Sequence, residues 1–363
     1  MTLRAAKTAF LGVLLAFSSS SGAPLTAAEE PVLTCDFIVP ASLFLPAQIG
    51  DEKGYFLVDN GTPDNVLSTD RTDGIPAADK DLKVRVHDKD LSIRCVSSPR
   101  YNDLLGLVSK HYPDLNVLGI LGYSFLRSYT VQFDYPGRTL RLHPPGKFPL
   151  PEPGTLGDAH VLASFTLSDQ GHLFIDGCRI GDSLAGRLHL DLGSPGFNFE
   201  GKLAKQAGIT GRTIPEFRVD GMSFRDFPWT QRNFLKVFPE FNLIGEIGNQ
   251  QLLDTVVTLH YDLKKVEIQR EPQCPLRLKH PGMQCGGRRN NVTAVTPGSL
   301  AEKLGLRTGD KIVSVNGHPT PNPSCMKDAF MTPIRADQAS IVVLRDGEET
   351  TLSCPRDLWL SAR

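Results

Sequence analysis

Two short stretches carry residues able to do acid–base chemistry. Phe56-Leu57-Val58-Asp59-Asn60-Gly61-Thr62 runs an apolar strand into a carboxylate, a glycine and a hydroxyl, and Leu188-His189-Leu190-Asp191-Leu192-Gly193-Ser194 has the same layout. Taken singly, Asp-Asn-Gly is good turn chemistry, because Asn and Gly tolerate positive φ, and a plain hairpin turn accounts for it. Taken as a pair, the two carboxylates offer more. Brought into contact they cannot both ionise easily, so they share a proton. One then acts as base on a water while the other polarises a carbonyl as acid. That is peptide hydrolysis without a covalent intermediate.

The elements that would position them also come twice. Gly119-Ile120-Leu121-Gly122 is followed by Leu126, a strand from Tyr129 to Phe133, Tyr135, Leu140 and Leu142. Gly245-Glu246-Ile247-Gly248 is followed by Leu252, a strand from Thr255 to Leu259, Tyr261, Val266 and Ile268, in register and without a gap. Two ordered pairs of matching blocks are an internal repeat. Each half supplies an Asp on a loop after a buried strand, and a later strand that can pack beside that loop. Two such halves facing each other bring Asp59 and Asp191 together.

These residues resemble the retropepsin-type, pepsin-like aspartic proteases, with both lobes in one polypeptide. The family motif is apolar-Asp-Thr/Ser-Gly-Ala/Ser/Thr, followed later by apolar-apolar-Gly. Positions 58–62 and 190–194 match the first part and Ile120-Leu121-Gly122 the second, while Glu246-Ile247-Gly248 departs through its charged residue. The resemblance covers about residues 35–270. It implies a mostly β fold: two pseudo-symmetric closed-barrel lobes, residues 29–148 and 149–272. It implies an aspartic endopeptidase with Asp59 and Asp191 as the catalytic pair, acting on a peptide or protein substrate. Asn60, Gly61, Thr62, Leu192, Gly193, Ser194, Gly122 and Gly248 would support the two loops. In the family, the Thr or Ser after each Asp ties the loops together by hydrogen bonds, and here those positions hold Asn60 and Leu192. Asn60 can donate through its amide and a leucine side chain cannot. The alternative function is therefore a catalytically impaired protein that grips an extended peptide on the same fold.

Within the first lobe, Leu82 to Val86 and Leu91 to Cys95 flank His87-Asp88-Lys89-Asp90, a polar-tipped hairpin. It falls where the family carries its flap, the hairpin that closes over substrate; an ordinary surface hairpin is the competing reading. His87 at the tip is assigned no role, and Asp134, before the turn Pro136-Gly137, is read as structural. In the second lobe, Leu173–Ile175 and Cys178–Ile180 flank Asp176-Gly177, the usual hairpin dipeptide. Phe217–Val219 and Met222–Phe224 around Asp220-Gly221 form another hairpin, a second flap-like element. His189 lies two residues from Asp191, on the same strand face, and is read as a partly buried structural residue. Ser194 lacks a nucleophile elbow and is read as support for Asp191.

Residues 273–363 are a separate unit. Asn291–Val295 is a strand, and Thr296-Pro297-Gly298-Ser299 caps a short helix that ends at Gly305. Gly309-Asp310, a strand from Lys311 and the turn Asn316-Gly317 follow, and Ile341–Arg345 and Glu348–Cys354 close a hairpin around Asp346-Gly347. This is similar to a PDZ domain of the bacterial exported-protease type. The resemblance implies a partner: an extended peptide, often a C-terminus, added as a strand. Its carboxylate loop would lie near Pro281-Gly282-Met283.

The remaining signals set the context. Arg4 and Lys7, the apolar run Ala9–Phe17, a serine cluster and Thr26-Ala27-Ala28 read as a signal peptide over residues 1–28. The run is too short to span a bilayer. The expectation is an exported, periplasmic or secreted protein without a membrane span. Without Arg4 and Lys7 the chain holds 37 basic against 40 acidic side chains, and no basic patch points to nucleic acid. Seven cysteines without C-x-x-C spacing argue against zinc and for disulfides. The pairings expected are Cys35–Cys95, Cys325–Cys354 and, as a further candidate, Cys274–Cys285. Neither metal nor cofactor is expected. The proline-rich stretch Phe148–Gly154 reads as the linker between lobes.

Overall fold

The computed structural model describes residues 30–38, 42–68, 80–96, 99–113, 115–152, 156–233, 236–271, 281–286, 290–320, 326, 329–330, 334 and 336–361. The protein is mostly β. The signal-peptide stretch, Cys274 and Cys325 lie outside the described residues.

The first half builds a six-stranded sheet in the order Val66–Leu67, Val117–Leu121, Glu52–Val58, Phe44–Ile49, Lys80–Val86, Lys89–Cys95. A parallel bridge from Val66 to Val96 brings its two ends together and closes it. Its central strand, Val-Leu-Gly-Ile-Leu, is buried at every position, as a strand covered on both faces must be. The second half repeats this pairing for pairing. Leu173–Ile180 lies beside Leu184–Leu190, which runs parallel to Leu243–Ile247. That strand is crossed by Phe197–Phe199, which pairs parallel with Met222–Gln231. Thr213–Val219 returns to Leu173–Ile180 and closes the barrel. Apolar residues fill both barrels and the space between them as one continuous core.

The halves are joined by sheet as well as by chain. Thr130–Asp134 pairs antiparallel with Thr255–His260, with Gln132 opposite Thr258. Thr139–His143 and Leu33–Asp36 extend this layer on one side, and Lys265–Arg270 and His160–Leu167 on the other. Asp134 is structural: its Oδ1 accepts the Gly137 amide in the turn.

Two expectations are corrected. Asp176-Gly177 is not a hairpin turn, because Leu173–Ile180 is one strand. It carries a bulge between Ile175 and Cys178, where Gly177 takes φ +72°. The glycine that signals a turn serves equally to absorb an extra residue in a strand. Cys35 and Cys95 do not form a disulfide. They are free, buried thiols on strands of different sheets, and burial pushes each thiol up to about 12. Cys285 is also a free thiol.

The C-terminal unit has its own sheet, ordered Met283–Gly286, Asn291–Val295, Lys311–Val315, Gln338–Arg345, Glu348–Pro355, and its own core around Ile312, Ile341, Phe330 and Trp359. The short helix Leu300–Lys303 starts as its sequence predicts, with Ser299 Oγ accepting the Glu302 amide at 3.3 Å. Among the described residues no helix is long and apolar enough to cross a membrane.

Candidate active site

Each Asp sits where a strand runs off the end of its sheet. The Asp59 amide donates to Leu121 O at 3.0 Å, and the Asp191 amide donates to Ile247 O at 3.0 Å. Both loops then turn back, Thr62 N–H onto Asp59 O and Ser194 N–H onto Asp191 O, at 3.2 and 3.1 Å. Gly122 and Gly248 are needed at the crossing. A Cβ on Gly122 would lie 2.2 Å from Asp64 O, and one on Gly248 would lie 2.2 Å from Ser194 O. The apolar-apolar-Gly signature is a steric requirement of a strand passing beside a loop.

The two carboxylates meet. A Cβ on Gly61 would lie 3.1 Å from Asp59 Oδ1 and 3.2 Å from Asp191 Oδ1, and one on Gly193 would lie 2.5 Å from Asp59 Cγ. The side chains are within hydrogen-bonding reach of each other. Burial pushes both above the usual carboxylate range. For Asp59 the rise is opposed by bonds from Thr62 Oγ1 at 2.7 Å and the Gly61 amide at 2.8 Å. Asp191 is held well above that range by burial, then by the negative charges of Asp59 and Glu246. Asp59 is therefore the better anion and Asp191 the better proton holder.

The loops are tied by a device that reading the side chains alone does not anticipate. Asn60 is fully buried; its Nδ2 donates to Leu190 O at 2.7 Å and its Oδ1 accepts the Leu192 amide at 2.7 Å. One amide thus makes both bonds across the pair. Leu192 takes part through its backbone, which a comparison of side chains overlooks. Its carbonyl also accepts from Asn249 Nδ2 at 2.7 Å, and Gly193 O accepts from Ser42 Oγ at 3.0 Å. Ser42 and Asn249 carried no sequence signal, since the contacts join segments far apart in the chain. Ser194 supports Asp191 through its amide, at 3.2 Å from Oδ1, while its hydroxyl donates to Gly196 O at 3.5 Å.

Beside Asp191 lies a buried polar network. His189 Nδ1 is 3.0 Å from Glu246 Oε2, and Glu246 Oε1 accepts from Arg232 Nη1 at 2.9 Å and from Asn198 Nδ2. His189, Asp191 and Glu246 each place a potential ligand atom within 4.8 Å of the others. These groups do not fit a cation: both Glu246 oxygens are already engaged, one of them by a guanidinium. Burial raises Glu246, but His189, Arg232 and Asn198 together hold it below its ordinary value.

A cleft of about 1490 Å³ opens above the pair. Leu104, Val108 and His111, on the helix Pro99–His111, line it on one side, and Pro228, Thr230, Arg232 and Phe238 on the other. The hairpin read as a flap is present, with strands Lys80–Val86 and Lys89–Cys95 and an exposed contact between His87 Nδ1 and Asp88 Oδ1 at its turn. None of its described residues lines the cleft. It belongs to the barrel wall through Gln48 and Arg85. The second hairpin, Thr213–Val219 with Met222–Gln231, contributes through the end of its second strand and not its tip.

In the C-terminal unit, Pro281-Gly282 packs on the helix start, Pro281 O accepting the Ala301 amide and Gly282 O the Ser299 hydroxyl. The next strand, Met283–Gly286, is an edge of its sheet among the described residues.

No curated protein matches the chain. Among solved structures it is similar to an aspartic proteinase from Irpex lacteus, with a TM-score of 0.43 and 11% identity over 66% of this chain and 97% of that one. Residues 292–330 match the PDZ domain family.

Proposed function

We propose that the protein is an exported aspartic endopeptidase whose PDZ domain binds peptide. The supporting observation is the meeting of Asp59 and Asp191, delivered by equivalent strand ends to the floor of an open cleft. Asp59 takes a proton from a water, whose oxygen bonds to the scissile carbonyl carbon as Asp191 gives its proton to the carbonyl oxygen. When the tetrahedral intermediate collapses, the C–N bond breaks. The proton on Asp59 passes to the leaving nitrogen, and a hydroxyl proton returns to Asp191. The doubly bonded Asn60 supports this reading over peptide-gripping alone, since it supplies the tie whose loss would leave the pair loose. In the PDZ domain, the strand Met283–Gly286, at the end of its sheet among the described residues, is where an extended peptide would add as a strand. The test is hydrolysis of unfolded protein from acidic to neutral pH. Asp59→Asn and Asp191→Asn should each lower the rate about a hundredfold or more. Unchanged hydrolysis in either variant would overturn the assignment.

A further inference from the structure

The two halves pair strand for strand, so the residues around each Asp can be matched by register. In the first half, Leu57 and Val66 both lie opposite Ile120 on the central strand. In the second half, the residues in the same registers are His189, Asn198 and Glu246, with His189 and Asn198 both opposite Glu246. An apolar cross-strand triplet has become a hydrogen-bonded polar one at all three positions. Five of the six residues are buried, Asn198 being half-buried, and Glu246 is only 3% exposed. Burying a carboxylate is costly unless it is paired. A change at one position would have been expensive; all three change together, and Arg232 completes the set at 2.9 Å.

The triplet acts on the pair in two ways. Asn198 Nδ2 donates to Ser194 Oγ at 3.0 Å, and that hydroxyl turns to Gly196 O and away from Asp191. Its counterpart Thr62 instead donates to Asp59. Glu246 also sets a carboxylate beside Asp191 with no equivalent beside Asp59. Removing a donor and adding a negative charge both disfavour the ionised form of Asp191.

Resting on the protease reading above, we propose that Glu246, held by His189, Asn198 and Arg232, is a positioning residue that keeps the shared proton on Asp191 and extends the working range of the pair towards neutral pH. The second ionisation of the pair ends activity on the alkaline side, and the charge on Glu246 delays it. The other charged or titratable groups facing this region are Asp59 across the pair, Arg232 at the end of the Met222–Gln231 strand, and His172, whose ring lies 5.3 Å from that of His189. His111, Asp169 and Glu240 also line the cleft. Arg232 works against Glu246 at Asp191.

The test is the pH–rate profile of the full-length chain on heat-unfolded, fluorescein-labelled casein. Glu246→Gln should move the alkaline limb down by about one pH unit. Arg232→Gln should move it up, by less, because the guanidinium is half-exposed and screened. Opposite displacements from two partners in one ion pair are not what a loss of structure produces. Should Glu246→Gln fail to fold, His189→Leu/Asn198→Val/Glu246→Ile, which copies the apolar triplet of the first half, should still lower the limb. Limbs that stay put or move together overturn the proposal. A wild-type protein that cuts nothing removes the protease reading instead. In that case a carbon-13 titration of the Asp191 carboxyl decides the inference: a lower midpoint in Glu246→Gln sustains it, and an unchanged one overturns it.

Discussion

The loop carrying Asp59 and the loop carrying Asp191 share their backbone contacts and differ in what their side chains reach. The first gives its Asp a hydroxyl and an amide and sends Asn60 across to hold the other loop. The second gives its Asp two backbone amides, both on Oδ1, and sets a buried carboxylate alongside. The duplicated scaffold fixes where the carboxylates stand, and the unduplicated side chains set how each holds a proton. A symmetric frame therefore carries an asymmetric pair, which acid–base catalysis needs, since one group must give a proton while the other takes one.

The difference between the two loops depends most on Asn60. Asn60→Leu makes the two loops alike but orphans Leu190 O and the Leu192 amide in a buried setting. The expected loss is about 3 kcal/mol, or roughly 5–10 °C in Tm, measured by thermal unfolding. The converse change, Leu192→Asn, puts a polar amide into a fully buried site and should also destabilise.

The hydroxyls sharpen it. Thr62→Val removes a donor to Asp59, so Asp59 should hold its proton to higher pH and the acid limb of hydrolysis should rise by about one pH unit. Ser194→Ala removes a hydroxyl that does not reach Asp191, and that limb should stay in place. Equal shifts in the two variants would show the loops to be equivalent after all.

A smaller effect appears in stability without any substrate. Both Asp side chains hold protons more tightly in the fold than in the unfolded chain. Their contribution is present at low pH and is lost as pH rises through their raised folded values. Asp191→Asn should therefore raise Tm by a few degrees at neutral pH and leave it nearly unchanged under acid conditions. A Tm lowered at neutral pH would mean that the Asp191 charge is stabilising.

The repeat was legible in the sequence because its constraints are local and steric. Asp-x-Gly and the glycines at 122 and 248 are demanded by loops and strands a few ångströms apart. The asymmetry was harder to see, since Glu246 read as a mismatch to a motif and His189 as a packed histidine. The available signal was their joint occurrence with Asn198, once the two copies are matched by strand register. Ser42 and Asn249 gave no signal, because their partners are set by tertiary packing. The Asp176-Gly177 bulge and the unbridged Cys35 and Cys95 show the same limit: turn dipeptides and cysteine counts name a chemistry and leave its geometric use open.

In the proposed reaction, a water held by Asp59 and Asp191 cuts a substrate peptide bond. Its most direct test is mass spectrometry of an unfolded protein substrate incubated in oxygen-18 water with wild-type and Asp191→Asn chains. The prediction is new C-termini carrying the heavy oxygen with the wild type and almost none with the variant. Equal cleavage by both, or none by the wild type at any pH, would contradict it.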